Sequence, residues 1–152
     1  GSLQVGRRGV GSELSAALIW GLERDEYIRR ADPWPLSEEG ELLLGLKIES
    51  LAALERIEEI LAVPGIGFAE MGPGDLSMAL GHLRAPQPWP ELMQETHERV
   101  KAACKNNGVA FLDVAMPENI GEKIDAGARV IAGGKEETAR IGRAHTKRAM
   151  DV

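Results

Sequence analysis

Two apolar runs, Leu42-Leu43-Leu44-Gly45-Leu46-Lys47-Ile48-Glu49 and Ile66-Gly67-Phe68-Ala69-Glu70-Met71-Gly72-Pro73-Gly74-Asp75, each lead into a carboxylate. Each run is short, apolar and bounded by turn residues, which reads as a buried strand. The segment between them carries Leu54, Ile57 and Leu61 at i, i+3 and i+7, the spacing of one buried helical stripe. Strand, helix and strand in that order form a β-α-β unit, whose strands run parallel. Parallel strands deliver Glu49 and Asp75 to the same edge of the sheet, where α/β proteins build their sites. Two hard oxygen donors facing one cleft suit Mg²⁺ or Mn²⁺, with coordination positions left for water and substrate.

The same alternation continues outward. Ser12 reads as the N-cap of a helix over Glu13–Trp20, and a second short helix covers Asp25–Ala31. Asp32-Pro33-Trp34-Pro35 stops it, because proline cannot continue a helix. Ser50 caps the helix over 51–61, and Pro64-Gly65 turns the chain into the second strand. A helix over 91–105 stops at Asn106-Asn107-Gly108. A third strand over 109–114, a helix over 117–125, a fourth strand over 129–132 and a final helix over 136–149 complete the chain. The expectation is a parallel α/β architecture with about four strands in chain order.

The 152 residues suggest one domain spanning 1–152. A net charge of −6 argues against nucleic acid or an acidic membrane as partner. No apolar run approaches the ~20 residues of a membrane span. The single cysteine, Cys104, excludes an intramolecular disulfide and fits a cytoplasmic protein.

Three segments together resemble the HpcH/HpaI aldolases, the pyruvate-dependent class II aldolases related to citrate lyase β. They are Arg8-Gly9-Val10-Gly11-Ser12, Ile48-Glu49-Ser50 and Gly72-Pro73-Gly74-Asp75-Leu76-Ser77. The 26-residue separation of Glu49 from Asp75 is similar to the family's ligand spacing. The resemblance implies a (β/α)8 barrel, which typically takes about 250 residues. With four strand–helix units, the chain corresponds to the C-terminal half of such a barrel. It implies a lyase that cleaves a 4-hydroxy-2-oxo acid to pyruvate and an aldehyde, with Glu49 and Asp75 as ligands of Mg²⁺ or Mn²⁺. The family's acid/base histidine with its acidic partner, and its enolate-steadying arginine, belong to the N-terminal half, so no catalytic acid or base is assigned here. The alternatives are an acyl-CoA lyase of the citramalyl- or malyl-CoA type and a noncatalytic half-barrel. Unpaired edges on an open sheet favour self-association, so a homo-oligomer is expected.

Other residues carry two readings each. Gly74 either lets substrate carboxylate approach the amides near Asp75 or simply makes a tight turn. Arg8 either reaches the substrate anion or is a solvated loop charge. His97 and His145 read as surface or packing residues, and His82, which follows the Asp75 loop, either lines the site or does not. Asp113 either faces the cleft or is structural. Cys104 reads as a buried packing residue.

Overall fold

A computed structural model of the chain describes residues 11–148. It divides into two compact units, one formed by the residues up to Leu44 with Pro64–Gly67, the other by Gly45–Val63 with the residues from Phe68 onward.

The first unit contains α1 (Glu13–Trp20), α2 (Arg24–Arg30) and a two-stranded parallel pair, β1 (Pro33–Trp34) and β2 (Leu42–Leu43). Gly21 ends α1 in the left-handed conformation, φ 66°, and Leu22 N–H donates to the Ala17 carbonyl at 2.9 Å. That bond satisfies a helix-end carbonyl. Ser12 does occupy the N-cap position, but its own φ is 64° and its hydroxyl makes no cap bond. A side-chain cap needs an extended N-cap backbone, which Ser12 does not have. Pro33-Trp34 ends the helix as expected and then contributes a strand that the sequence did not signal. The Arg8 loop lies outside the described residues.

The second unit holds a four-stranded sheet in the order β3 (Gly45–Ile48), β4 (Phe68–Met71), β5 (Ala110–Val114) and β6 (Ala128–Ala132). Every pairing is parallel. This is the expected mixed α/β arrangement of a partial (β/α)8 barrel. The intervening helices are α3 (Leu51–Leu54), α4 (Ile57–Leu61), α5 (Pro73–Ala79), α6 (Glu91–Asn107) and α7 (Ile120–Asp125), with α8 (Glu136–Thr146) after β6.

Two expected elements are divided. The run 42–48 breaks at Leu44, whose carbonyl accepts from Gly67 N–H at 2.9 Å, so Leu42–Leu43 pair in one sheet and Gly45–Ile48 in another. The helix over 51–61 breaks at Arg56, whose φ of −127° is not helical. Ser50 caps its first half as expected, accepting from Ala53 N–H at 3.2 Å. The stripe survives the break, with Leu54, Ile57 and Leu61 all buried.

The core lies between the sheet and α6. Met93, Val100, Ala103 and Cys104 on α6 are buried, as are Ala69 and Met71 on β4 and Phe111 on β5. Gly45 is required in β3 because the ring of its registered partner Phe68 occupies the place of a Cβ. Among the described residues no helix is long and apolar enough to cross a membrane.

Candidate metal centre

Glu49 directly follows β3 and Gly72 directly follows β4. The two strands pair through Ile48↔Met71, and Gly72 N–H donates to the Ile48 carbonyl at 3.0 Å. The two segments therefore leave the same edge of the sheet side by side. A Cβ on Gly72 would overlap the Glu49 carboxylate and lie 2.8 Å from the Glu49 Cβ. Gly72 thus makes room for that carboxylate, since its φ of −84° needs no glycine.

The expected loop after Gly72 is a helix. Pro73 opens α5, a position where its missing N–H costs nothing. Gly74 and Asp75 occupy the second and third positions, and Ser77 Oγ donates to the Gly74 carbonyl at 2.7 Å. Gly74 has no positive φ, and a Cβ there would meet no atom within 4 Å. The turn reading therefore does not explain it. Asp75 is exposed and Glu49 half-buried. His82 sits just past α5, its N–H bonded to the Ser77 carbonyl at 2.9 Å.

Among the described residues no group of three or more His, Cys, Asp or Glu side chains could hold a metal. Two carboxylates are nonetheless a donor set suited to Mg²⁺ or Mn²⁺, ions that keep several waters and need few protein oxygens. The chemistry of Glu49 and Asp75 therefore fits such an ion, whereas a structural zinc site would need about four ligands. Gly72→Ala tests this arrangement. The Glu49 Cβ is too close for rotation of the carboxylate to relieve the overlap, so a loss of roughly 1–3 kcal/mol in stability is expected. Chemical denaturation measures it, and unchanged stability would mean that Glu49 does not lie over Gly72.

The other candidates have structural places. Asp113 is turned towards the helices. Its Oδ2 lies 2.9 Å from Lys123 Nζ on α7 and 3.4 Å from His97 Nε2 on α6, and its Oδ1 accepts from Val114 N–H at 2.8 Å. The His97 contact has the distance of an ion pair but not the alignment of a hydrogen bond, and Nε2 is otherwise unpartnered. The His97 ring packs against Phe111 and Trp89, with centroids 5.1 and 5.4 Å away. Burial pushes the Asp113 carboxyl up, but His97, Lys123 and the Val114 amide outweigh it and hold the group down at about 2. His145 Nε2 meets Asp125 Oδ1 at 2.7 Å on the surface. Cys104 is buried, and burial alone pushes its thiol up to about 11, which removes it as a nucleophile near neutrality.

A cavity of about 800 Å³ lies elsewhere, between α7, β6 and α8, and neither Glu49 nor Asp75 lines it. It opens beside β6 because that strand ends the sheet.

One ion pair near the site was not foreseen from the sequence. Lys47 and Glu70 stand 3.3 Å apart on registered positions of β3 and β4. The signal was present: each stands two residues before one of the site positions, Glu49 and Gly72.

A four-stranded parallel α/β sheet, with Glu49 directly after β3 and Asp75 on the helix that follows β4, defines the class as a barrel-type α/β protein. Residues 7–141 match the HpcH/HpaI aldolase/citrate lyase family, and the chain belongs to that family. It is 34% identical over 116 residues to the 2-keto-3-deoxy-L-rhamnonate aldolase of Klebsiella pneumoniae, covering 75% of this chain and 40% of that enzyme. It is 33% identical over 135 residues to the hydroxypyruvate/pyruvate aldolase of Deinococcus radiodurans, covering 88% of this chain and 45% of that one. Among solved structures, an HpcH/HpaI aldolase/citrate lyase family protein from Burkholderia cenocepacia superposes with a TM-score of 0.61 at 26% identity, over 93% of this chain and 51% of that one. The chain thus spans less than half the length of these two curated relatives, both named as aldolases.

Proposed function

We propose that this chain supplies the metal-holding part of a class II aldolase, which cleaves a 4-hydroxy-2-oxo acid to pyruvate and an aldehyde. The observation that carries the reading is the pairing of β3 with β4, which brings the Glu49 carboxylate over Gly72, three residues before Asp75. Glu49 and Asp75 would hold Mg²⁺ or Mn²⁺. Such an ion, when bound, supplies Lewis-acid stabilisation of the enolate formed from the keto acid. A Cβ on Gly74 would meet no atom within 4 Å, and the reading assigns that open space beside Asp75 to the keto-acid carboxylate. Arg8, outside the described residues, is the cation assigned to that carboxylate. The proton-transfer groups are assigned to the part of the relatives' length that this chain does not span. The reading puts the protein in the cytoplasm, as a homo-oligomer that covers the edges of β3 and β6, which have no partner strand among the described residues.

Exchange of pyruvate methyl protons for deuterium, followed by NMR, tests the reading because it reports enolate formation without any aldehyde partner. With Mn²⁺, the chain alone is expected to exchange slowly. General acid/base catalysis contributes about 10²–10⁴-fold, and adding the complementary portion of a relative should recover part of that factor. Exchange that survives EDTA, or that is absent with both portions present, sinks the proposal.

A further inference from the structure

The Lys47–Glu70 pair has no part in the reading above, yet its position is informative. Side chains along a strand alternate between faces. Lys47 and Glu49 therefore share one face, and Glu70 and Gly72 share the same face of the next strand. Two contacts agree with this: Gly72 lies against Glu49, and Lys47 meets its registered partner Glu70 at 3.3 Å. The other face is the core, with Ile48, Ala69 and Met71 between 0% and 4% exposed. The ion pair thus lies one layer below the Glu49 carboxylate on the face that carries the site.

The two partners are unequal. The Glu70 side chain is 16% exposed and the Lys47 side chain 59%. The fixed member is the carboxylate, and the mobile one is an ammonium on a flexible four-carbon stem. If Glu70 were neutral, an anionic partner within reach of that ammonium would be Glu49, two residues along the same face. An ammonium on Glu49 would neutralise the carboxylate and occupy the oxygens a cation needs.

We propose that Glu70 is a positioning residue that holds the Lys47 ammonium off Glu49, keeping that carboxylate open for a divalent ion. The inference rests on the reading of Glu49 as a metal ligand. Four proteins test it: the unaltered chain, Glu70→Gln, Lys47→Met and the double variant. Two measurements are made on each, Mn²⁺ affinity by electron paramagnetic resonance and the ¹³C resonance of the Glu49 carboxyl carbon without metal. Partners of metal ligands typically command ~10–100-fold in affinity, so Glu70→Gln should weaken Mn²⁺ binding about tenfold. The double variant should recover the original affinity, and Lys47→Met should leave it nearly unchanged. The Glu49 resonance should move in Glu70→Gln alone. If the pair acted only through summed charge, Lys47→Met would bind more tightly and the Glu49 resonance would stay in place in Glu70→Gln; that result overturns the proposal. So does unaltered affinity in Glu70→Gln. If the unaltered chain binds no Mn²⁺, the metal reading fails, while the Glu49 resonance still decides where Lys47 goes.

Discussion

Glu49→Gln and Asp75→Asn, each alone, are expected to raise the Mn²⁺ dissociation constant by two orders of magnitude or more. Even the outer partners of a metal ligand command ~10–100-fold in affinity, and under the proposed function these substitutions remove a charged ligand itself. Affinity for hard cations follows the charge and number of the oxygens supplied, and the proposed site has two carboxylates. Both replacements keep the size of the side chain. The amide introduced by Glu49→Gln still fills the space over Gly72, and the one introduced by Asp75→Asn still stands at an exposed position on α5. The loss should therefore appear in the Mn²⁺ titration while the circular dichroism spectrum and melting curve stay unchanged. A chain that binds Mn²⁺ equally well with and without the Asp75 carboxylate would show that the ion sits elsewhere and would remove the central support of the aldolase reading.

What made the placement of Glu49 legible is that it follows from local facts. The apolar run ending in Glu49 places that carboxylate directly after β3, whereas Asp75, expected at the end of the second run, lies on α5. The parallel course follows from the intervening helix, and the β3–β4 pairing agrees with it. Other features depended on contacts between distant residues. Leu44 lies inside an unbroken apolar run, and only the bond from Gly67 shows that the run serves two sheets. Asp113 was ambiguous for a different reason. The strand Val109–Val114 is apolar on both faces, so no alternation revealed which way its one charged residue points. The packing of Phe111 against His97 settles it, because residues i and i+2 share a face. Lys47 and Glu70 became partners only once the register was known.

Asp113→Asn is expected to cost about 2 kcal/mol at neutral pH and almost nothing near pH 2. In the folded chain His97, Lys123 and the Val114 amide overcome burial and hold the carboxyl at about 2, against an ordinary value of 3.8. At ~1.4 kcal/mol per pH unit, a difference of that size corresponds to about 2 kcal/mol. The sign follows from the direction: a depressed folded-state value means that the unfolded chain takes up the proton first as pH falls. The contribution is therefore complete above the ordinary carboxylate range and disappears between about pH 4 and pH 2. The Asp113 side chain is 11% exposed, so solvent screens the interaction little. Asparagine keeps the shape but leaves Lys123 without its anion, and a lone half-buried ammonium adds to the loss. The groups facing Asp113 are His97 on α6 and Lys123 on α7, with Glu98 3.6 Å from the far side of the His97 ring. Lys123→Met should accordingly show a similar dependence on Asp113 ionisation, and the two substitutions should not be additive. Urea unfolding at pH 7 and near pH 2 measures both points. A gap between the unaltered chain and Asp113→Asn that stays constant across that range would mean that the carboxylate contributes by its shape and not by its charge.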